Sequence, residues 1–157
     1  MSRTEFIELY TTFHGRIGRA QWWFGFIALF MFYALVLTIL HFALKDLFEG
    51  TRFASPRPNP IESLASLLLV VPQVALVKKR FNDRAHAPWV TELYAATCLA
   101  LVVVADAGFV PGMQNPGVFM TVFWLFMLVY GTWVLIDNGF RVGTKGPNNY
   151  GPDPLDT

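Results

Sequence analysis

The chain has 157 residues, of which 54% are hydrophobic and 15% charged, and its twelve basic and eleven acidic side chains leave a net charge of +1. This composition excludes a disordered chain, which needs low hydrophobicity and high net charge, and it offers no basic excess for binding nucleic acid. The length predicts one domain over residues 1–157, and the apolar excess predicts that much of this domain faces lipid.

The first predicted element is a short amphipathic helix over residues 2–13. Four apolar side chains have the i, i+3, i+4, i+7 spacing of one helix face: Phe6, Leu9, Tyr10 and Phe13. Ser2 and Glu5 have the spacing of a capping box. We expect this helix to lie on the membrane surface. Trp22 and Trp23 follow it at the place where an interfacial aromatic belt is expected.

Four apolar segments follow, and each predicts a transmembrane helix: 20–44, 61–77, 88–110 and 117–136. The first and the fourth contain no charged residue and are long enough to cross a hydrocarbon layer of about 30 Å. The second is short and the third contains Glu92 and Asp106, so this pair fits either two full spans or a re-entrant hairpin. We favour two full spans, because a helix satisfies its own backbone hydrogen bonds in lipid. Pro72 predicts a kink in the second span.

The segments between and after the spans are predicted to be irregular. Alternate prolines in 45–60 favour an extended connector, and a short segment rich in Gly and Pro, 107–116, precedes the last span. The Gly-, Pro- and Asn-rich tail, 143–157, fits either a disordered end or a tail pinned against the membrane face. Tyr150 lies among conformationally restricted residues and favours the pinned tail.

The basic residues are distributed unequally between the two sides of this arrangement. Three lie in the first external loop, whereas nine lie in the N-terminal segment, the second loop and the tail: Arg3, Arg16, Arg19, Lys78, Lys79, Arg80, Arg84, Arg141 and Lys145. Because basic residues near helix ends stay in the cytoplasm, we expect both termini to be cytoplasmic. The predicted fold class is all-α: an integral membrane four-helix bundle with a short interfacial helix before it and an irregular tail after it.

Three segments together resemble a known bacterial family. They read GRIGRAQWW at 15–23, RFNDRAHAPW at 80–89 and GTKGPNNYGPDP at 143–154. In this order they are similar to the motifs G-R-x-x-R, R-L-H-D-x-G-x-S-G-W and G-x-x-G-x-N-R-[FY]-G-P-D-P of the inner-membrane family known as domain of unknown function 805. The chain departs from these motifs at Phe81, Asn82, Ala85, Ala87-Pro88 and Asn149. The resemblance implies a small polytopic protein of the bacterial inner membrane and no established activity.

All three segments lie on the predicted cytoplasmic side, where they form a candidate polar cap. Its candidate binding residues are Arg16, Arg19, Arg80, Asp83, Arg84, Trp89, Asn148, Tyr150 and Asp153. We expect Asp83 and Asp153 to pair with some of the arginines, because Arg forms forked hydrogen bonds to carboxylates. The cap either fixes the fold or leaves arginines to hold an acidic segment of a partner or, through Arg16, Arg19 and Arg80, anionic lipid headgroups. An acid–base pair of His86 with Asp83 is a further hypothesis.

No motif of a common catalytic class is present in the sequence, and the single cysteine, Cys98, provides neither a disulfide nor a cysteine-based zinc site. We therefore predict a protein without catalytic activity, metal or cofactor. The favoured function is a structural or accessory subunit, with membrane lipids and a larger membrane complex or a second copy as partners. The alternatives are a homo-oligomeric channel or transporter, although the middle of each span is uncharged, and an anionic-lipid-binding protein.

Overall fold

The computed structural model describes residues 3–44, 60–108 and 117–156 of the chain. These residues form five helices, followed by an irregular tail: α1 (Arg3–Thr11), α2 (Arg19–Leu44), α3 (Pro60–Asp83), α4 (Pro88–Asp106) and α5 (Val118–Gly139). Helices α2 to α5 are each long and apolar enough to cross a membrane. The described residues contain no strand beyond an isolated bridge between Asn148 and Gly151. The prediction of an all-α membrane helical bundle is therefore confirmed.

Some sequence predictions fall outside the described residues. They are the extended connector at 45–59, the part of the last loop at 109–116 and Ser2 of the capping box. The bounds of α1, α2, α4 and α5 differ from the predicted ones by a few residues at their ends. Fraying and end effects make such differences ordinary.

Helix α3 departs furthest from its predicted bounds. The apolar segment predicts a span over 61–77, whereas the helix continues to Asp83 and passes through Pro72. The additional turns contain Lys79, Arg80 and Asp83, which are 3%, 0% and 2% exposed. Lys and Arg are good helix formers, and these side chains find acceptors in other elements. The helix therefore continues through a charged segment that resembles a loop in the sequence.

Helix α3 is also the centre of the bundle, because it packs against all four other helices. Helix α2 approaches it closely at Gly25, where a Cβ atom would lie 2.7 Å from Cδ1 of Leu76. Hydrogen bonds attach helix α1 to both α2 and α3. The hydroxyl of Tyr10 donates to the Gly25 carbonyl at 3.0 Å, and Nζ of Lys79 donates to the carbonyl of Glu8.

Much of the buried core lies near the end of the bundle that holds the α3–α4 turn and the tail, which we call the cap end. Two clusters of buried apolar side chains lie there: Leu9, Ile17, Trp22 and Leu76, and then Val77, Phe81, Val90 and Val134. A third cluster continues the core between α3 and α4, with Val70, Val74 and Cys98 as its buried members.

Away from the cap end, the helices keep wide apolar surfaces uncovered. The most apolar windows of α2 and α5 are 6% buried, against 28% for those of α3 and α4. Phe119 is 76% exposed and Leu128 is 67% exposed. Water would drive such surfaces to associate, whereas hydrocarbon solvates them. The outer surface of α2 and α5 therefore agrees with a protein embedded in a membrane.

Candidate functional site

The centre of the cap end is an ion-pair cluster on Asp83, the last residue of α3. Nε and Nη2 of Arg16 donate to Oδ1 of Asp83 at 3.1 and 2.9 Å, and Nη1 of Arg80 donates to Oδ2. The side chains of Arg16, Arg80 and Asp83, which form the Asp83 cluster, are 1%, 0% and 4% exposed. The predicted pairing of Asp83 with arginines is confirmed. Because two buried cations share one carboxylate, they need further acceptors.

Carbonyl groups of the tail supply these acceptors to Arg16. Its Nη1 donates to the carbonyls of Gly146 and Gly151 at 2.7 and 3.2 Å, and its Nη2 donates to the carbonyl of Thr144 at 2.6 Å. With the two bonds to Asp83, all five N–H groups of Arg16 have an acceptor. Arg16 therefore joins the N-terminal segment, α3 and the tail.

The other motif arginines donate to the C-terminal end of α5 and the residues that follow it. A helix leaves its last carbonyls without intrahelical partners, and cations are favourable at that end. The donors and their carbonyl acceptors are Arg80 to Asn138 and Arg141, Arg19 to Phe140, and Arg84 to Val142. These arginines stabilise the junction between α5 and the tail.

A second buried carboxylate, Asp137 in the last turn of α5, is absent from the predicted site residues. It forms the Asp137 cluster with three partners: Nε2 of His86 at 2.7 Å, Nη1 of Arg141 at 3.2 Å and Nη2 of Arg84 at 3.5 Å. The hypothesis that His86 pairs with Asp83 is therefore wrong. In the sequence Asp137 follows an apolar run and looks like an exposed residue at the end of a span. Nothing in this pattern indicates that its side chain is buried. Its i, i+4 spacing to Arg141 is a signal that could have revealed it.

The tail folds back onto the turn between α3 and α4. The hydroxyl of Tyr150 donates to the His86 carbonyl at 2.8 Å, and Nδ2 of Asn148 donates to the Asn82 carbonyl at 3.0 Å. The backbone N–H and the hydroxyl of Thr144 donate to the carbonyl of the last residue of α3 at 2.9 and 3.0 Å. The described tail is pinned to the cap end, as Tyr150 indicated, and the alternative of a disordered end is wrong for it.

Asp153 has partners other than the predicted ones. Its Oδ2 accepts from the backbone N–H of Gly146 at 2.8 Å, and its Oδ1 accepts from that of Leu155 at 3.0 Å. No arginine forms an ion pair with it among the described residues, so the predicted pairing of Asp153 with an arginine is wrong. The hydrogen bonds from Leu155 and Gly146 lower the pKa of Asp153, because they favour the ionised carboxylate.

Two predicted site residues lie at the edge of the cap end. Arg19 is exposed and reaches the Phe140 carbonyl at 3.3 Å. Trp89, at the start of α4, is 62% exposed and belongs to neither ion-pair cluster. Gly143, in contrast, lies against the Asp83 cluster, because a Cβ atom there would overlap the carboxylate of Asp83. The absence of a side chain at Gly143 lets the tail approach the Asp83 cluster, a role that the sequence alone does not reveal.

Both ion-pair clusters are arranged to hold elements together. Each carboxylate faces arginine or histidine donors from at least two different segments. Within the described ranges no group of three or more His, Cys, Asp or Glu side chains is placed to hold a metal ion. The chemistry that this geometry supports is the positioning of three helices and the tail by buried charge-assisted hydrogen bonds.

Comparison with known proteins agrees with the motif resemblance. A family model described as protein of unknown function (DUF805) matches residues 10–152. The uncharacterized protein YiiR of Escherichia coli K12 is 30% identical over 148 residues, which cover 92% of this chain and 87% of YiiR. YiiR of Escherichia coli O157:H7 matches equally well, and no solved structure matches. The chain therefore belongs to the DUF805 family.

Proposed function

We propose that this chain is a non-catalytic accessory subunit of a bacterial inner-membrane assembly, with both termini and the cap end in the cytoplasm. Four membrane-length helices and a bacterial relative support the inner-membrane location. The concentration of basic residues in the segments of the cap end supports the orientation. The use of the buried cap-end charges to hold helices and tail together supports a structural role.

The observation that carries the proposal is Gly131 on the exposed surface of α5. A Cβ atom at Gly131 would meet nothing within 4 Å, so no neighbour among the described residues requires a glycine there. A glycine inside a helix costs about 1 kcal/mol relative to alanine. In membrane helices, small residues let a second helix approach closely. Gly25 of α2 contrasts with Gly131, because α3 already occupies the space beside it.

The surface around Gly131 supplies apolar contact area for such a helix. Leu128 and Leu135, three residues before and four residues after Gly131 on the same helix face, are 67% and 37% exposed. The buried residues of α5 lie in its last two turns, between Val134 and Gly139. We assign this surface to a helix of a different membrane protein, because the buried charges of the cap end hold this chain's own helices and tail together and the activity would then reside in the partner.

Purification from native membranes tests the proposal. A tagged chain expressed at its natural level is isolated in mild detergent, and native mass spectrometry gives the composition and stoichiometry of the particle. We expect one foreign subunit at a fixed ratio. Gly131→Leu should reduce the amount of that subunit about tenfold or more, because the added side chain blocks close helix approach. Ala34→Leu, a similar enlargement on the exposed surface of α2, is the control and should retain the subunit.

Two results would contradict the accessory role. A particle made of this chain alone would favour the homo-oligomeric channel, for which conductance of the pure protein in liposomes is the next measurement. A foreign subunit that stays bound equally well to Gly131→Leu would show that the surface around Gly131 is not the contact.

A further inference from the structure

A cavity of about 660 Å³ lies at the cap end between the first turn of α2 and the tail. Its polar lining includes Arg19, Arg80 and Lys145, and its apolar lining includes Val142 and Leu155. The surface around Gly131 lies elsewhere, on α5, so the proposed assembly assigns no role to the cavity.

The cavity is lined by positive charges that ion pairs within the protein neutralise only in part. Arg19 donates to the Phe140 carbonyl at 3.3 Å, and neither Arg19 nor Lys145 has a carboxylate partner in the described part of the chain. Arg80 is 0% exposed and has four acceptors for its five N–H groups among the described residues: Asn138, Ile17, Asp83 and Arg141. Its charge therefore lies just beneath the cavity wall, where it makes the electrostatic potential of the cavity more positive.

Two carboxylates, Asp83 and Asp153, also line the cavity, but the three lining cations outnumber them. Asp83 is shared by Arg16 and Arg80, which leaves one positive charge in excess. Asp153 accepts two backbone N–H donors, at 2.8 and 3.0 Å. The first-turn N–H groups of α2, which begins at Arg19, add donors and a positive helix-dipole end beside the cavity. The cavity therefore favours an anion.

The position and the rim of the cavity indicate what kind of anion it holds. Helix α2 enters its apolar run at Ala20, so the cavity lies where headgroup phosphates meet the hydrocarbon layer. Apolar side chains at or beside the cavity are exposed: Phe140 at 62%, Val142 at 51% and Leu155 at 76%. A ligand with a phosphate group and an apolar part matches both features.

We propose that this cavity binds the phosphate of an anionic lipid headgroup through Arg19 and Lys145, with the buried charge of Arg80 beneath them. This assignment narrows the expectation from the sequence, because every N–H group of Arg16 is already used by Asp83 and the tail. A soluble phosphate compound shares the same chemistry, so the test separates the two sources.

The test uses the full-length protein in nanodiscs of phosphatidylcholine with a small fraction of phosphatidylglycerol, and native mass spectrometry counts the lipids retained. We expect saturable binding of phosphatidylglycerol. Arg19→Gln and Lys145→Gln should each weaken it about fivefold, because each removes one cation at the headgroup level. Arg19→Lys should restore most of the affinity. Lys78→Gln is the matched control, because Lys78 lies over the Phe13 ring, 5.7 Å from its centre, outside the cavity.

Equal retention of phosphatidylcholine, an equal loss with Lys78→Gln, or unchanged binding in both cavity variants would each overturn the proposal. A titration with inorganic phosphate, followed by thermal unfolding in detergent, identifies the source of the phosphate. No stabilisation by inorganic phosphate assigns the site to lipid. Stabilisation that disappears in Arg19→Gln, without retained phosphatidylglycerol, would overturn the lipid assignment in favour of a soluble phosphate compound.

Discussion

Asp83 holds the cap end together because its carboxylate neutralises two buried arginines, Arg16 and Arg80. Removing one member of a buried ion pair costs about 3–5 kcal/mol, since the partners keep their charge without a counter-ion. We expect Asp83→Asn to lower the free energy of unfolding by about that amount, measured by chemical denaturation in detergent micelles. Asp156→Asn, an exposed carboxylate of the tail, is the control and should change it by less than about 0.5 kcal/mol. Similar losses in both variants would contradict this role of Asp83.

Ala85 carries backbone strain in the turn between α3 and α4. Its φ is +56°, a left-handed conformation in which a Cβ atom crowds the following carbonyl. The family motif has glycine at this position, and glycine adopts the conformation without that cost. We expect Ala85→Gly to raise the free energy of unfolding by about 1 kcal/mol. Ala87→Gly should lower it instead, because φ −65° and ψ 148° already suit alanine; destabilisation by Ala85→Gly would refute the strain.

At the scale of elements, the tail depends on hydrogen bonds rather than on regular secondary structure, and Asp153 closes it onto the N–H groups of Gly146 and Leu155. These bonds lower the pKa of Asp153 in the folded state. Its stabilising contribution is therefore complete above the unfolded pKa of about 3.9 and is lost as the pH falls through the lower folded value. We expect the tail to become sensitive to pepsin below about pH 4.

Asp153→Asn separates this effect from the titration of other carboxylates. The variant should loosen the tail at neutral pH, which limited proteolysis at pH 7 measures, and it should remove the pH dependence of tail cleavage by pepsin. If acid released the tail of Asp153→Asn at the same pH as that of the unmodified chain, the effect would belong to another carboxylate. Lys145→Gln is the control, because it removes a charge from the same tail and leaves these hydrogen bonds intact. Its tail should be cleaved like that of the unmodified chain.

The elements differ in how far the sequence predicts them. The four spans follow from long apolar runs, because the membrane environment requires them and each helix satisfies its own backbone. The continuation of α3 to Asp83 does not follow, because its charged side chains are buried by partners remote in sequence. Arg16 and Asp83 are 67 positions apart, and His86 and Asp137 are 51 apart. A single sequence contains no periodic signal for such pairs. It predicts the pairing of Asp83 with arginines, but not the burial of Asp137 or the partners of Asp153.

At the scale of the whole molecule, most of the buried stabilising contacts, polar and apolar alike, are concentrated at one end. Both ion-pair clusters and two of the three buried apolar clusters lie near the cap end. The outer parts of α2 and α5 have few buried residues, and their apolar side chains face the surroundings. Lipid provides no hydrophobic driving force between helices, so the charge-assisted bonds at the cap end add to van der Waals packing in holding the spans together.

The proposed orientation follows from the unequal distribution of basic residues. The segments that form the cap end contain nine of the twelve basic residues, and each basic residue near the anionic cytoplasmic surface is worth about 1 kcal/mol. We expect a fluorescent protein fused after Thr157 to fluoresce and alkaline phosphatase fused there to be inactive. Both reporters inserted at Arg52 should give the opposite pattern, because three basic residues there do not hold that loop in the cytoplasm. Active phosphatase at the C-terminus would place the cap end outside and overturn the proposed orientation.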